Sequence, residues 1–392
     1  MDMNDDTMLT LVAVGDVGPK RARAEELFDA TRSILRGGDI TFGQLESSLS
    51  LRGTPQLQMG LGSIAHPRIG DALADAGFDV MSFASNHTLD YSEEALVDTL
   101  DVMKRKKIAV IGAGRNIFEA RRPVVFERKN TKVGFLAYCS VVPKGFHAGE
   151  NKSGVAPVRA STAYEQADWQ PGTAPRIITK AFPNDLAAMV RDIESLRSKV
   201  DVLVVSMHWG VHFVPSVIAM YQYEVGHAAI DAGADIIIGT HAHILKGIEV
   251  YKGKVIFFSL CNFCMDLPIA GPVAKTMASA MQRPVITDVP VDHRNYCQIG
   301  PYSWEVDPEY PTYAFPADSR KSILVKCRIS DRKLGRVSFL PLWIAKNGRP
   351  EPLAQDDPRS EEVVNYMKWL CKDQKLHTDF VRDGDEIAVL TE

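Results

Sequence analysis

No apolar run in this 392-residue chain approaches the ~20 residues that a membrane-spanning helix needs. The opening Met1-Asp2-Met3-Asn4-Asp5-Asp6 is acidic, with neither a basic n-region nor an apolar h-region, so no secretory signal is expected and the chain reads as cytoplasmic. Cysteine is scarce. Of the six, Cys139, Cys297, Cys327 and Cys371 are scattered, and Cys261 and Cys264 form a lone CxxC, which excludes a disulfide framework and a paired-CxxC zinc site. The CxxC is expected in a tight loop. Positive charge is not in excess, with 45 Lys and Arg against 49 Asp and Glu, so no nucleic-acid partner is expected. The basic run Lys104-Arg105-Lys106-Lys107 closes a helical pattern from Glu93 to Met103, where cations complement the helix dipole. Internal repeats and low-complexity tracts are also missing, which excludes solenoids and disordered arrays.

What is present is a hydrophobic content of 45%, enough for one large α/β domain or two. Strand-like segments lie at 9–15, 39–45, 79–84, 108–111, 132–139, 201–207, 234–239 and 254–260. Helical patterns between them are clearest at Pro67 to Ala76, Glu93 to Lys104, Asn184 to Lys199 and Tyr221 to Ala232. This alternation predicts a layered α/β fold with mostly parallel strands. Two hairpins, at 124–139 and at 322–343, add antiparallel strands and favour two sheets over a single one. Residues 144–180 and 266–320 have little periodicity and read as loops. A helix is expected from Glu361 to Lys372.

The chemistry gathers where apolar strands end, the edge at which open α/β sheets place their ligands. Asp16 follows Leu11-Val12-Ala13-Val14-Gly15, and Asn86-His87 follows the run from Val80 to Ser85. His208 follows Val202 to Met207, and His241 and His243 follow Ile236-Ile237-Ile238. Imidazole with carboxylate and no thiolate suits a divalent Zn, Mn or Fe, one ion or two.

In this order the blocks Gly15-Asp16-Val17-Gly18, Phe42-Gly43-Gln44-Leu45-Glu46, Ser85-Asn86-His87, His208-Trp209-Gly210 and Gly239-Thr240-His241-Ala242-His243 resemble the calcineurin-like metallophosphoesterase superfamily. Within it, Ser85-Asn86-His87-Thr88-Leu89-Asp90-Tyr91, Ile230-Asp231-Ala232-Gly233-Ala234-Asp235 and Phe258-Ser259-Leu260-Cys261-Asn262-Phe263 are closer to CapA, the capsule or poly-γ-glutamate synthesis family. The resemblance covers roughly residues 9–266. It implies an αββα sandwich of two mixed β-sheets flanked by helices, with a long C-terminal insertion. Residues 1–345 would form the main domain, with 266–320 as a lid or contact insertion, and 346–392 a helix and tail packed on it. Five positions depart from the pattern: Gly18 stands where a first-block His is expected, Glu46 where a bridging Asp is, Thr240 where a His often is, His212 where a Glu often is, and Cys261 where a Gly is.

The resemblance assigns Asp16, Glu46 and His243 to one metal position and Glu46, Asn86, His208 and His241 to the other. His87 would be the general acid, with Asp90 as its partner, and His212 an additional acid, base or ligand. It implies a hydrolase of a phosphoester or of an amide, γ-glutamyl bonds included. Alternatives are a metal-assisted epimerase and a non-catalytic accessory protein of capsule synthesis; the N-terminus shows no anchor of the kind capsule proteins carry, which counts against the last. Residues 266–320 are too aromatic and too aperiodic for core packing. They are expected to cover the cleft and contact an anionic small-molecule or peptide substrate through Asp292, His293, Arg294, Tyr296 and Trp304, or else to join subunits of a homo-oligomer.

Overall fold

The computed structural model describes residues 8–56, 62–166, 168–169, 172, 175–267, 296–299 and 302–391. Two mixed sheets form the centre. The first has ten strands; its middle is the parallel run of Leu9–Gly18, Ile40–Leu45, Val80–Ser82 and Ala109–Ile111. On the other side of Leu9–Gly18, the antiparallel pair Lys321–Ser330 and Lys333–Ile344 extends it, followed by Glu386–Val389 and Phe380–Asp383. The second sheet has six strands, with Thr131–Cys139, Val202–His208, Ile236–Thr240 and Lys254–Phe257 parallel and a hairpin partner on each edge.

The alternation of side chains along each strand sorts the core into three layers. Leu9, Leu11 and Ala13 face inward and meet Phe135, Val204, Ile236, Ile238 and Phe257 from the other sheet. Phe42 and Phe135 stack across this interior at 6.4 Å between ring centroids. Val12, Val14 and Val17 face outward and are covered by the helices Ile69–Ala76 and Ser92–Arg105 through Leu73, Leu96 and Val102. On the far side, Leu203, Val205, Met207 and Ile237 are covered by Pro183–Arg197 and Met220–Asp231. The expected αββα sandwich is therefore present. The helix Pro358–Asp373 adds Val363, Met367 and Leu370 to the inner layer.

The 124–139 hairpin turns on Lys129 and Asn130, both at positive φ (46° and 58°), the two-residue turn that matches strand twist. Residues 144–180, read from sequence as loop, contain a further hairpin, Ala160–Glu165 with Arg176–Ala181. Both of its strands are largely exposed, so no apolar alternation announces it. Residues 304–320 also correct the sequence reading. Tyr310, Tyr313 and Phe315 are buried in a cluster with Phe213, Met265 and Ile344, so this part of the segment is core. No helix among the described residues is long and apolar enough to cross a membrane.

Candidate metal centre

The parallel strands of both sheets deliver their C-terminal ends to one place. Asp16 lies at a register shift in Leu9–Gly18, where the strand pairs with Ile40–Leu45 on one side and Asn262–Met265 on the other. Its backbone N–H donates to Cys261 O at 3.1 Å. The approach requires glycine just before it, because a Cβ on Gly15 would lie 1.9 Å from Cys261 O. Glu46 directly follows its strand and is held by its N–H to Val17 O at 2.8 Å. His208 ends its strand, and His241 and His243 follow theirs in left-handed backbone, at φ 89° and 55°. Non-glycine residues held in that region cluster at functional sites, because the surrounding structure must stabilise them.

Asp16, Glu46 and His208 are wholly buried, and each offers a donor atom within 4.8 Å of the others. His243 Nδ1 lies 3.2 Å from Asp16 Oδ2 and 2.7 Å from Asn262 Oδ1. Asn86 Oδ1 lies 2.8 Å from His208 Nε2 and 3.2 Å from His241 Nδ1. The structure thus brings all six sequence-nominated ligands to one centre. His208 Nδ1 is 3.2 Å from Glu46 Oε1 but its hydrogen bond is to Thr240 Oγ1 at 3.0 Å, so Oε1 has no hydrogen-bond partner. A buried carboxylate oxygen left so is costly without a cation beside it.

The electrostatics agree. Burial, then the neighbouring Asp16 charge, pushes the Glu46 carboxyl well above its ordinary range. Burial, then the other histidines, holds His208, His212 and His241 well below theirs. Neutral imidazoles and a carboxylate short of a counter-charge are what a divalent transition ion takes as ligands. The residues present fit such an ion.

His87 stands beside the centre rather than in it. Its Nδ1 is 2.6 Å from Asp90 Oδ2, which also accepts from Ser63 N–H at 2.6 Å. Ser85 Oγ donates to Glu46 Oε2 at 3.0 Å and accepts from His87 N–H, so one serine joins the centre to the His87 turn. The His212 ring lies 3.8 Å from that of His241 and 5.5 Å from that of His243. A cavity of about 400 Å³ opens over Asn86, His212 and His241, walled by Val141, Pro143 and Val211. Trp304 packs on Phe213, itself against His212 and His243, and donates its indole N–H to Ala314 O. Tyr296 lies in a short strand paired with Tyr302–Glu305. Asp292, His293 and Arg294 fall outside the described residues. Cys261 and Cys264 are both free and buried, with Cys261 in left-handed backbone beside Asp16.

Sequence reasoning did not nominate Asn262, Thr240 or Ser85 as site residues, although each bonds to one that was. Asn262 carried the same signal as the ligands, a polar residue just past an apolar strand end. Asn262 also receives Tyr313, whose hydroxyl accepts from its Nδ2 at 2.7 Å.

The profile of the family described as bacterial capsule synthesis protein PGA_cap matches residues 10–267, which include all six residues nominated as ligands. The chain belongs to that family. It is 28% identical over 245 residues to the PGA biosynthesis protein CapA of Bacillus subtilis (strain 168), covering 62% of this chain and 57% of that one. It is 27% identical over 271 residues to the capsule biosynthesis protein CapA of Bacillus anthracis, covering 66% and 60%. A probable polyglutamine synthesis accessory protein of Mycobacterium tuberculosis is 29% identical over 205 residues, 51% of this chain and 48% of that one. The PGA_cap chain described here therefore matches less than two thirds of the length of these curated relatives. Among solved structures, the calcineurin-like phosphoesterase YfkN from Bacillus subtilis is similar at a TM-score of 0.40 and 14% identity, over 94% of this chain and 98% of that one. A likeness of that size decides nothing about activity.

Proposed function

We propose that this PGA_cap-family chain is a divalent-metal-dependent hydrolase that cleaves an amide of the γ-glutamyl type. The observation that carries the reading is the buried Glu46 Oε1, without a hydrogen-bond partner, beside Asp16 and four histidines with depressed or paired nitrogens. The substrate class rests on the names of the relatives, which concern PGA, capsule and polyglutamine synthesis.

Asp16, Glu46 and His243 would hold an ion on one side, and Glu46, Asn86, His208 and His241 on the other, with Mn, Zn or Fe as the candidates. Such an ion polarises a carbonyl or phosphoryl oxygen and lowers the pKa of a water. The remaining work falls to the chain. Asp90, wholly buried, fixes the His87 ring through Nδ1, and Nε2 would be the proton donor to a leaving group. His212, at the cavity wall, is placed to hold or exchange a second proton. Residues 1–345 would act as the catalytic body, with 346–392 packed on it.

The test is metal analysis of the purified protein, followed by three assays on the metal-loaded chain. They measure new amino groups from a γ-glutamyl oligomer, phosphate from a generic phosphomonoester, and deuterium exchange at the glutamyl Cα. Amino-group release supports the proposal, and phosphate release alone moves the substrate class to esters. Exchange without cleavage replaces hydrolysis by epimerisation, with His212 and His87 as the candidate proton carriers. No turnover with metal bound, together with copurification with a membrane-bound ligase, replaces it by an accessory role.

A further inference from the structure

Lys246 lies three residues beyond His243, on the segment that carries both His241 and His243, and it is buried. Its Nζ donates to two backbone carbonyls, Val214 O and, at 2.9 Å, Val217 O. Among the described residues no carboxylate pairs with it, and burial alone pushes the ammonium down to about 7. A buried ammonium without a counter-charge is costly, and an apolar side chain of the same length would fill the space without that cost.

Both carbonyls belong to the loop that follows His208 and carries His212, and each belongs to the closing residue of a tight turn. Val214 N–H donates to His212 O at 2.7 Å across Phe213, and Val217 N–H to Pro215 O at 2.7 Å across Ser216. Phe213 and Ser216 stand at φ 57° and 56°, the rare and strained form of the three-residue turn, which persists only where the surroundings hold it. Lys246 therefore caps both turns at once. The loop is fastened elsewhere by Gly210 N–H to the Tyr221 hydroxyl at 2.7 Å and by Ile218 N–H to Gln374 Oε1 at 3.4 Å. Phe213 N–H donates to Ala242 O at 3.1 Å, between the two histidines of the ligand segment. With the loop so folded, the His212 ring stands 3.8 Å from that of His241, at the cavity wall.

We infer that Lys246 is the positioning residue for His212: its two hydrogen bonds hold both turns closed and keep the His212 ring at the cavity, as one unit with the segment that bears His241 and His243. Its effect on turnover rests on the hydrolase reading proposed above; its hold on the loop does not. Stability is given up for that placement, since the lysine meets no opposite charge.

The test compares the whole wild-type chain with Lys246→Met, which keeps the apolar stem and removes the donors, and with Lys246→Gln, which keeps a donor. Hydrogen exchange, Mn²⁺ binding by calorimetry, thermal unfolding and cleavage of a γ-glutamyl oligomer are measured on each. Lys246→Met is expected to raise exchange across 212–218 by about tenfold or more, with Mn²⁺ binding unchanged and the thermal midpoint no lower than in the wild type. Its kcat should fall by up to about 10²-fold, the cost of displacing a reacting group by ~1 Å. Lys246→Gln should keep most of the protection and of the turnover. Because Lys246 acts through His212, the double variant His212→Ala with Lys246→Met should be no slower than His212→Ala alone. Additive losses in the double variant overturn the inference, as does unchanged exchange across 212–218 or a Lys246→Gln chain no better than Lys246→Met. A Lys246→Met chain that fails to fold or melts well below the wild type makes Lys246 a structural residue, which also overturns it. A wild-type chain that cleaves nothing overturns the hydrolase reading instead, and the exchange comparison still decides whether Lys246 holds the loop.

Discussion

Lowering the pH of the metal-free protein should destabilise it in a way that counts its buried histidines. His208, His212 and His241 are held well below the ordinary histidine range by burial, so in the metal-free fold they stay neutral where the unfolded chain binds protons. The unfolded state then gains protons first as pH falls through about 6.5, and stability falls with it. Between pH 6.5 and 5.5 each such histidine costs about 1 kcal/mol, or about 3 kcal/mol for the three. Glu46 has the opposite sign. Its carboxyl is raised in the fold, so the native state holds the extra proton and acidification returns at most about 1.4 kcal/mol over the same unit. The net loss is about 1.5 kcal/mol or more. Urea unfolding of chelator-treated protein at the two pH values measures it, and His241→Asn should reduce the loss by about 1 kcal/mol. A metal-free stability that is flat or rises on acidification refutes the argument, since the histidines would then not be buried as neutral groups.

Other outcomes can be checked directly. Glu46→Gln and His208→Ala should each remove most of the metal, measured by elemental analysis, because both lie in the buried three-residue cluster. His87→Ala should lower turnover by ~10²–10⁴-fold with metal content largely unchanged, as removal of a general acid does; loss of the metal would make His87 a ligand instead. Asp90→Asn should cost less than that, through the orientation of the ring. Gly15→Ala should destabilise by roughly 1–3 kcal/mol or prevent folding, because its Cβ would strike Cys261 O; thermal unfolding measures the shift.

Much of this architecture was legible because strands buried on both faces announce themselves as apolar runs. Leu9–Gly18, Val202–His208 and Ile236–Thr240 are such runs, and each carries a residue of the centre at or within three residues of its C-terminal end. The helices Ser92–Arg105 and Met220–Asp231 were also legible, within a residue or two of their observed ends. What escaped had a physical reason. The hairpin Ala160–Glu165 with Arg176–Ala181 is held by backbone pairing with little burial, so its side chains encode no period. Tyr313 and Phe315 fall in the segment expected to cover the cleft, because no periodicity shows what they pack on. In the fold Tyr313 bonds Asn262 and Phe315 lies 5.1 Å from His243, ring to ring, so both pack against residues of the centre.

The left-handed backbone at His241 and His243 sets which ligand sets this scaffold can explore. Asn and Asp enter that conformation with modest strain, whereas β-branched and bulky apolar residues do so poorly. Replacement of these histidines by Asp or Asn therefore changes the ion's preference toward harder cations while the turn keeps its shape. Replacement by Val or Ile breaks the turn before the chemistry is tested. A library confined to His, Asp, Asn and Gly at 241 and 243 would sample metal preference rather than folding failure, and the turn would act as a filter on how the centre can be redesigned.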